Sequence, residues 1–87
     1  MKKMLAKKKP VEVEVVQFLD SESGNYISGW AEGKIKYLIK SNEEVLSIET
    51  LEGVLDAKLG DYIIKGVKGE FYPVEKGIFE ETYDIVK

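Results

Sequence analysis

The chain has 87 residues, 44% of them hydrophobic and 33% charged, with a formal net charge of −3. It holds no cysteine and no histidine, and all 13 of its basic residues are lysines. That excludes disulfides, thiolate zinc sites, histidine-based triads and guanidinium clamps on phosphate or guanine, and the length admits one small domain whose limited burial favours a homo-oligomer.

Charge is unevenly placed. Residues 1–9 carry five lysines, so +5, whereas residues 10–87 carry eight lysines against sixteen acids, so −8. Residues 1–9 are expected to form a disordered, solubilising basic tail, and residues 10–87 a single domain. The acidic body repels duplex nucleic acid, whose affinity depends on neutralising phosphates. No stretch is apolar for long enough to cross a membrane.

Pro10 can open a strand because its missing N–H costs nothing there. Val11, Val13 and Val15 alternate with Glu12 and Glu14, a period-two pattern. Val16 and Phe18 then carry the apolar series on the opposite parity, which implies either a bulge or a strand covered on both faces. Asp20, Ser21, Ser23 and Gly24 are turn chemistry. Tyr26, Ile27 and Trp30 suit one face of a helical segment of one or two turns over 23–31. Ile35, Tyr37 and Ile39 alternate with Lys34, Lys36 and Lys40, and after the turn at 41–44 a second run places Leu46 and Ile48 inward, together a hairpin. Further strands follow over 54–58, 62–65 and 70–74, separated by turns at Glu52-Gly53, Gly60-Asp61 and 66–69. Pro73 marks the last as an edge strand or its end. Ile78, Phe79, Thr82, Tyr83 and Val86 then space as a helical stripe. The fold predicted is α+β: a small curved antiparallel sheet or partial barrel of five or six strands, with a short helical segment after the first strand and a C-terminal helix.

Two groups of residues stand out chemically. In Lys65-Gly66-Val67-Lys68-Gly69 the glycines let backbone N–H groups approach an anion and the lysines add charge. The run lacks the Gly-Lys-Ser/Thr ending and following helix of a P-loop, and it equally describes a tight hairpin. Trp30, Tyr26 and Tyr72 offer rings on which a base could stack, or they fill core and interface. The candidate ligand-binding residues are therefore Lys65, Lys68, Gly66, Gly69, Tyr72, Trp30 and Tyr26. The carboxylates, including Glu80 and Asp84 four apart, follow no metal-loop pattern and read as solvated faces. No catalytic residue, metal or cofactor is predicted.

The run Gly60-Asp61-Tyr62-Ile63-Ile64-Lys65-Gly66-Val67-Lys68-Gly69-Glu70-Phe71-Tyr72-Pro73, followed by Ile78-Phe79 and Thr82-Tyr83, resembles a group of small proteins common in bacteriophages and prophages. Lys9-Pro10-Val11, Val15-Val16-Gln17 and Thr50-Leu51-Glu52-Gly53 extend the likeness, and residues 19–45 lie outside it. This chain departs from the group at Val74, where cysteine is frequent, at Gly77, where an acid is usual, and at Phe18, which takes a tryptophan position. The resemblance implies phage origin and a host cytoplasm. By analogy with unrelated small phage proteins, it implies an anti-defence sponge that sequesters a phosphate-bearing immune signal of the cyclic-nucleotide or ADP-ribose type. The alternative is a module that binds and inhibits a host protein through its sheet edge or an aromatic loop.

Overall fold

A computed structural model describes residues 3–7 and 9–86. Lys2 and Lys8, two of the lysines in the basic segment, lie outside the described residues. The elements run β1 (Glu14–Gln17), α1 (Ser21–Trp30), β2 (Ile35–Lys40), β3 (Glu43–Thr50), β4 (Gly53–Lys58), β5 (Tyr62–Lys65), β6 (Phe71–Val74) and α2 (Lys76–Thr82), an α+β arrangement. In place of one continuous curved sheet or partial barrel, the strands form two antiparallel three-stranded sheets, ordered β1-β5-β6 and β2-β3-β4. No helix among the described residues is long and apolar enough to cross a membrane.

The β2-β3-β4 sheet is a plain meander. Ser41 and Asn42 both take positive φ (49° and 65°), the two-residue hairpin geometry whose twist matches its strands. Register places Ile35, Ile48 and Leu55 in one row and Tyr37, Leu46 and Ala57 in the next, all on one face. That face is the core side: Ile35, Leu46, Ile48 and Ala57 are fully buried. The other face is mostly polar, with Val45 its buried exception, and Lys40 reaches across it to Asp56 at 2.9 Å.

In the β1-β5-β6 sheet, β1 pairs regularly from Glu14↔Lys65 to Gln17↔Tyr62. The parity change at Val15-Val16 therefore involves no bulge; Val16 turns to the core and Val15 to the α2 side, each half-buried. Val16, Ile63 and Phe71 look into the core shared with the other sheet, and Tyr62 and Ile64 look the opposite way, toward α2.

The Asp20–Ser23 turn chemistry is a helix cap. Asp20 Oδ1 accepts from Ser23 N at 2.8 Å, and Ser23 Oγ accepts from Asp20 N at 3.0 Å. The Ser23 backbone amide first, and then the nearby Ser23 hydroxyl, favour the ionised form and hold the Asp20 carboxyl below its usual value. α1 then presses Ile27 and Ala31 into the core. Glu75 caps α2 through Gly77 N and Ile78 N, and those backbone donors likewise lower its pKa. α2 is shorter than the stripe implied. Tyr83 turns out to extended backbone (φ −125°, ψ 147°), so Val86 and Asp84 lie beyond the helix.

Gly24 packs where a side chain has no room. A Cβ there would lie 2.6 Å from Tyr37 Cδ1 and 3.0 Å from Phe18 Cε1, whereas one at Gly29 would meet nothing within 4 Å. Gly24→Ala is expected to destabilise by about 1–3 kcal/mol, and Gly29→Ala to stabilise by about 0.5–1 kcal/mol, both measured by urea unfolding. The two caps also set an acid limb. Both carboxyls have lowered folded-state values, so their stabilisation is complete above their ordinary values of 3.8 and 4.5 and is lost as pH falls through the lowered ones. Thermal melts should show a melting temperature that declines through this acid window, and Asp20→Asn with Glu75→Gln should flatten the decline.

Candidate functional site

The β5-β6 connection is a three-residue hairpin loop. Gly69 N donates to Gly66 O (3.0 Å), Gly66 N donates to Glu70 O (2.7 Å), and Gly69 sits at φ 82°. This is a type I turn followed by a left-handed glycine. The Lys68 amide donates to Glu70 Oε1 at 3.1 Å. The amides of Gly66, Lys68 and Gly69, which a phosphate would need, are therefore all engaged, one of them by a carboxylate of the chain itself. The Glu70 side chain lies so close over Gly66 that a Cβ there would collide with it.

The seven candidate residues do not converge. Lys65 and Trp30 both lie beside Phe71 on the core-side face of the β1-β5-β6 sheet, where Glu14, Lys65 and Phe71 form one cross-strand row. The Trp30 ring stands edge-on to Phe71 at 5.1 Å and its Nε1 donates to Glu14 Oε1 at 2.9 Å; such an aromatic pair contributes about 0.5–1.5 kcal/mol beyond area burial. Lys65 Nζ lies 6.0 Å from the Phe71 centroid, the outer limit of a cation–π contact. Tyr72 points to the opposite face, as strand alternation requires of a neighbour of Phe71. Gly66, Lys68 and Gly69 belong to the turn, and Tyr26 is 62% exposed on α1.

Two hollows flank the hairpin. The smaller, about 400 Å³, is lined by Glu12, Val13, Glu14, Lys65, Gly66, Val67 and Gly69. It sets two carboxylates against one lysine, and Lys68 takes no part in it, so its charge does not suit an anion. The larger, about 900 Å³, lies on the α2 side, between the chain leading into β1, the hairpin and the segment after α2. Its walls are mainly apolar: Val11, Val13, Val15, Tyr72, Phe79 and Val86. Its far wall is rigidified by a stack of rings, with Phe79 3.8 Å from Tyr62 and 4.9 Å from Tyr83. Burial, then the neighbouring Tyr83 hydroxyl, pushes the Tyr72 phenol up to about 12, so it stays protonated. Among the described residues no three carboxylates gather to hold a metal ion.

The groove runs beside an open strand edge. Among the described residues β1 pairs with β5 alone. Phe18 N donates to Asp61 O at 2.9 Å, and ladder bonds alternate along an antiparallel pair, so even-numbered residues of β1 turn their backbone groups to β5. The N–H and C=O of Val13 and Val15 consequently point outward, while their side chains line the groove. Residue type alone gave Val11, Val13, Val15 and Glu70 no functional weight. The signal available for the valines was an apolar alternation that continues upstream of Val16 and Phe18, on the parity opposite to the core.

Removing the Glu70 carboxylate should expose the turn. On titration with inorganic phosphate, Glu70→Ala is expected to show shifts of the Lys68 amide resonance, and the unmodified protein none; equal shifts in both would mean that Glu70 does not occupy the anion position. Compared with protein-family models, with curated proteins and with solved structures, the chain matches none.

Proposed function

We propose that the protein is a non-enzymatic binding module that receives an extended segment of another protein along the outer edge of β1. The observation that carries this reading is the open edge of β1 lying beside an apolar groove of about 900 Å³. An incoming strand would find main-chain partners at Val13 and Val15, and its groove-facing side chains would rest on Tyr72, Phe79 and the valines. Main-chain bonds supply affinity in such strand addition, and pockets for alternate side chains supply specificity. The absence of histidine and cysteine from the sequence, with no convergent carboxylates among the described residues, supports binding over catalysis. With the phage-like origin implied by the Gly60–Pro73 run, the partner is a host protein in the host cytoplasm. Sequestration of a phosphate-bearing nucleotide at the hairpin has less support, because Glu70 holds a donor that the phosphate would need and Trp30 and Tyr72 face opposite ways.

A display library of random peptides of about 12 residues tests this reading. Enriched peptides are expected to alternate apolar and polar residues. Their affinity should fall more than about tenfold, roughly 1.4 kcal/mol, in Val13→Asp and stay unchanged in Lys68→Ala. Failure to enrich any peptide, or equal binding by Val13→Asp, overturns it.

A further inference from the structure

The segment ahead of β1 carries apolar residues that no described residue covers. Met4 is 85% exposed and Leu5 96%. They form, with Ala6, an apolar triplet between Lys3 and Lys7. The groove beside β1 has the complementary character: apolar walls, and a charged lining of Glu12, Glu70 and Asp84 against Lys9 alone. The same opposition holds for the whole chain, +5 over residues 1–9 against −8 over the remainder.

We infer that the groove of one copy takes up the Lys3–Lys7 segment of a second copy, in a reciprocal exchange that joins two chains. Leu5 lies among the valines and Tyr72, Lys3 and Lys7 on the same face of the added strand meet the acidic rim, and Met4 and Ala6 turn to the opposite face. The backbone of the incoming segment adds to β1 through the outward groups of Val13 and Val15. A copy's own segment is poorly placed for this. Lys9 and Pro10 already line that copy's groove, and a residue before proline favours extended backbone, so the chain is led away from the groove instead of doubling back into it. Seven residues from Lys3 to Lys9 span up to about 25 Å when extended, enough to lie along the neighbour's four-residue β1. The inference rests on the strand-accepting groove proposed above: the second copy's segment fills the groove until a host strand displaces it.

Sedimentation velocity of the full chain at about 100 µM, in ~20 mM and ~500 mM NaCl, tests the exchange. A dimer is expected at low salt, with dissociation strengthened at least roughly tenfold at high salt as the ion pairs are screened. Leu5→Asp should abolish the dimer at either salt concentration. The Leu5 side chain is exposed in the single copy, so this variant should fold and, at dilutions where the unmodified protein is monomeric, melt at the same temperature; Val13→Asp provides the matching change on the groove side. A monomer at low salt, or a dimer equally tight in Leu5→Asp, overturns the proposal. If such a protein still binds display-selected peptides through Val13, the groove takes foreign strands and only the exchange is wrong; if it binds neither, both readings fail.

Discussion

Phe18 is the point on which the two sheets depend. Among the described residues they share no hydrogen-bonded strand pair, so their joining is a matter of packing. Phe18 follows β1 directly, is fully buried, and stands edge-on to Tyr37 of the other sheet at 6.1 Å. Its backbone is held by the turn that links β4 to β5, through Asp61 O and Gly60 N. Asp61, itself buried, stabilises that turn by accepting from Lys58 N. Gly24 lets α1 approach the same ring closely. One apolar side chain thus ties together a strand of the first sheet, a strand of the second, the connection between them and the first turn of the helix, which is why the space around it tolerates so little added volume.

From this seam the cover of the β1-β5-β6 sheet follows. One of its faces is taken by the core and the other by the aromatic stack from α2. The stack spans Tyr62, Phe79 and Tyr83, and α2 has only seven residues. It therefore covers the sheet near Tyr62 and leaves the hairpin end uncovered. There the apolar parity of residues 11, 13 and 15 continues past the helix, and a groove results. At the same end Glu70 acts as an internal anion for the turn, which makes the most recognisable run of the sequence an architectural element first.

Much of this was legible in residue order. The alternations around Tyr37 and Leu46, the turns, and the buried identities of Ile35, Leu46 and Ile48 follow from period and side-chain chemistry alone. The division into two sheets was not, because alternation says which way a side chain faces and not which strand pairs with which. The path of the Glu70 side chain back to Lys68 N was hidden for a similar reason: it depends on a rotamer. The separation of Tyr72 from Trp30 and Lys65 was within reach, since Phe71 and Tyr72 are adjacent in a strand and cannot both face the tryptophan. The early end of α2 at Thr82 was not: the apolar spacing runs on to Val86, but Tyr83 lies flat on Phe79 and leaves the helix to do so.

The two margins of the β1-β5-β6 sheet differ in a way that bears on runaway assembly. At the β6 margin, Pro73 stands opposite Ile63. The bond from Gly66 N to Glu70 O sets the ladder phase so that the Pro73 nitrogen points outward, where it has no hydrogen to offer. A sheet able to lengthen at both margins can template fibres, whereas one with a single receptive margin is saturated by the first strand it accepts. In this sheet the proline withholds a donor from the β6 margin, so the two margins are not equivalent and the far edge is blunted where the β1 edge is left open.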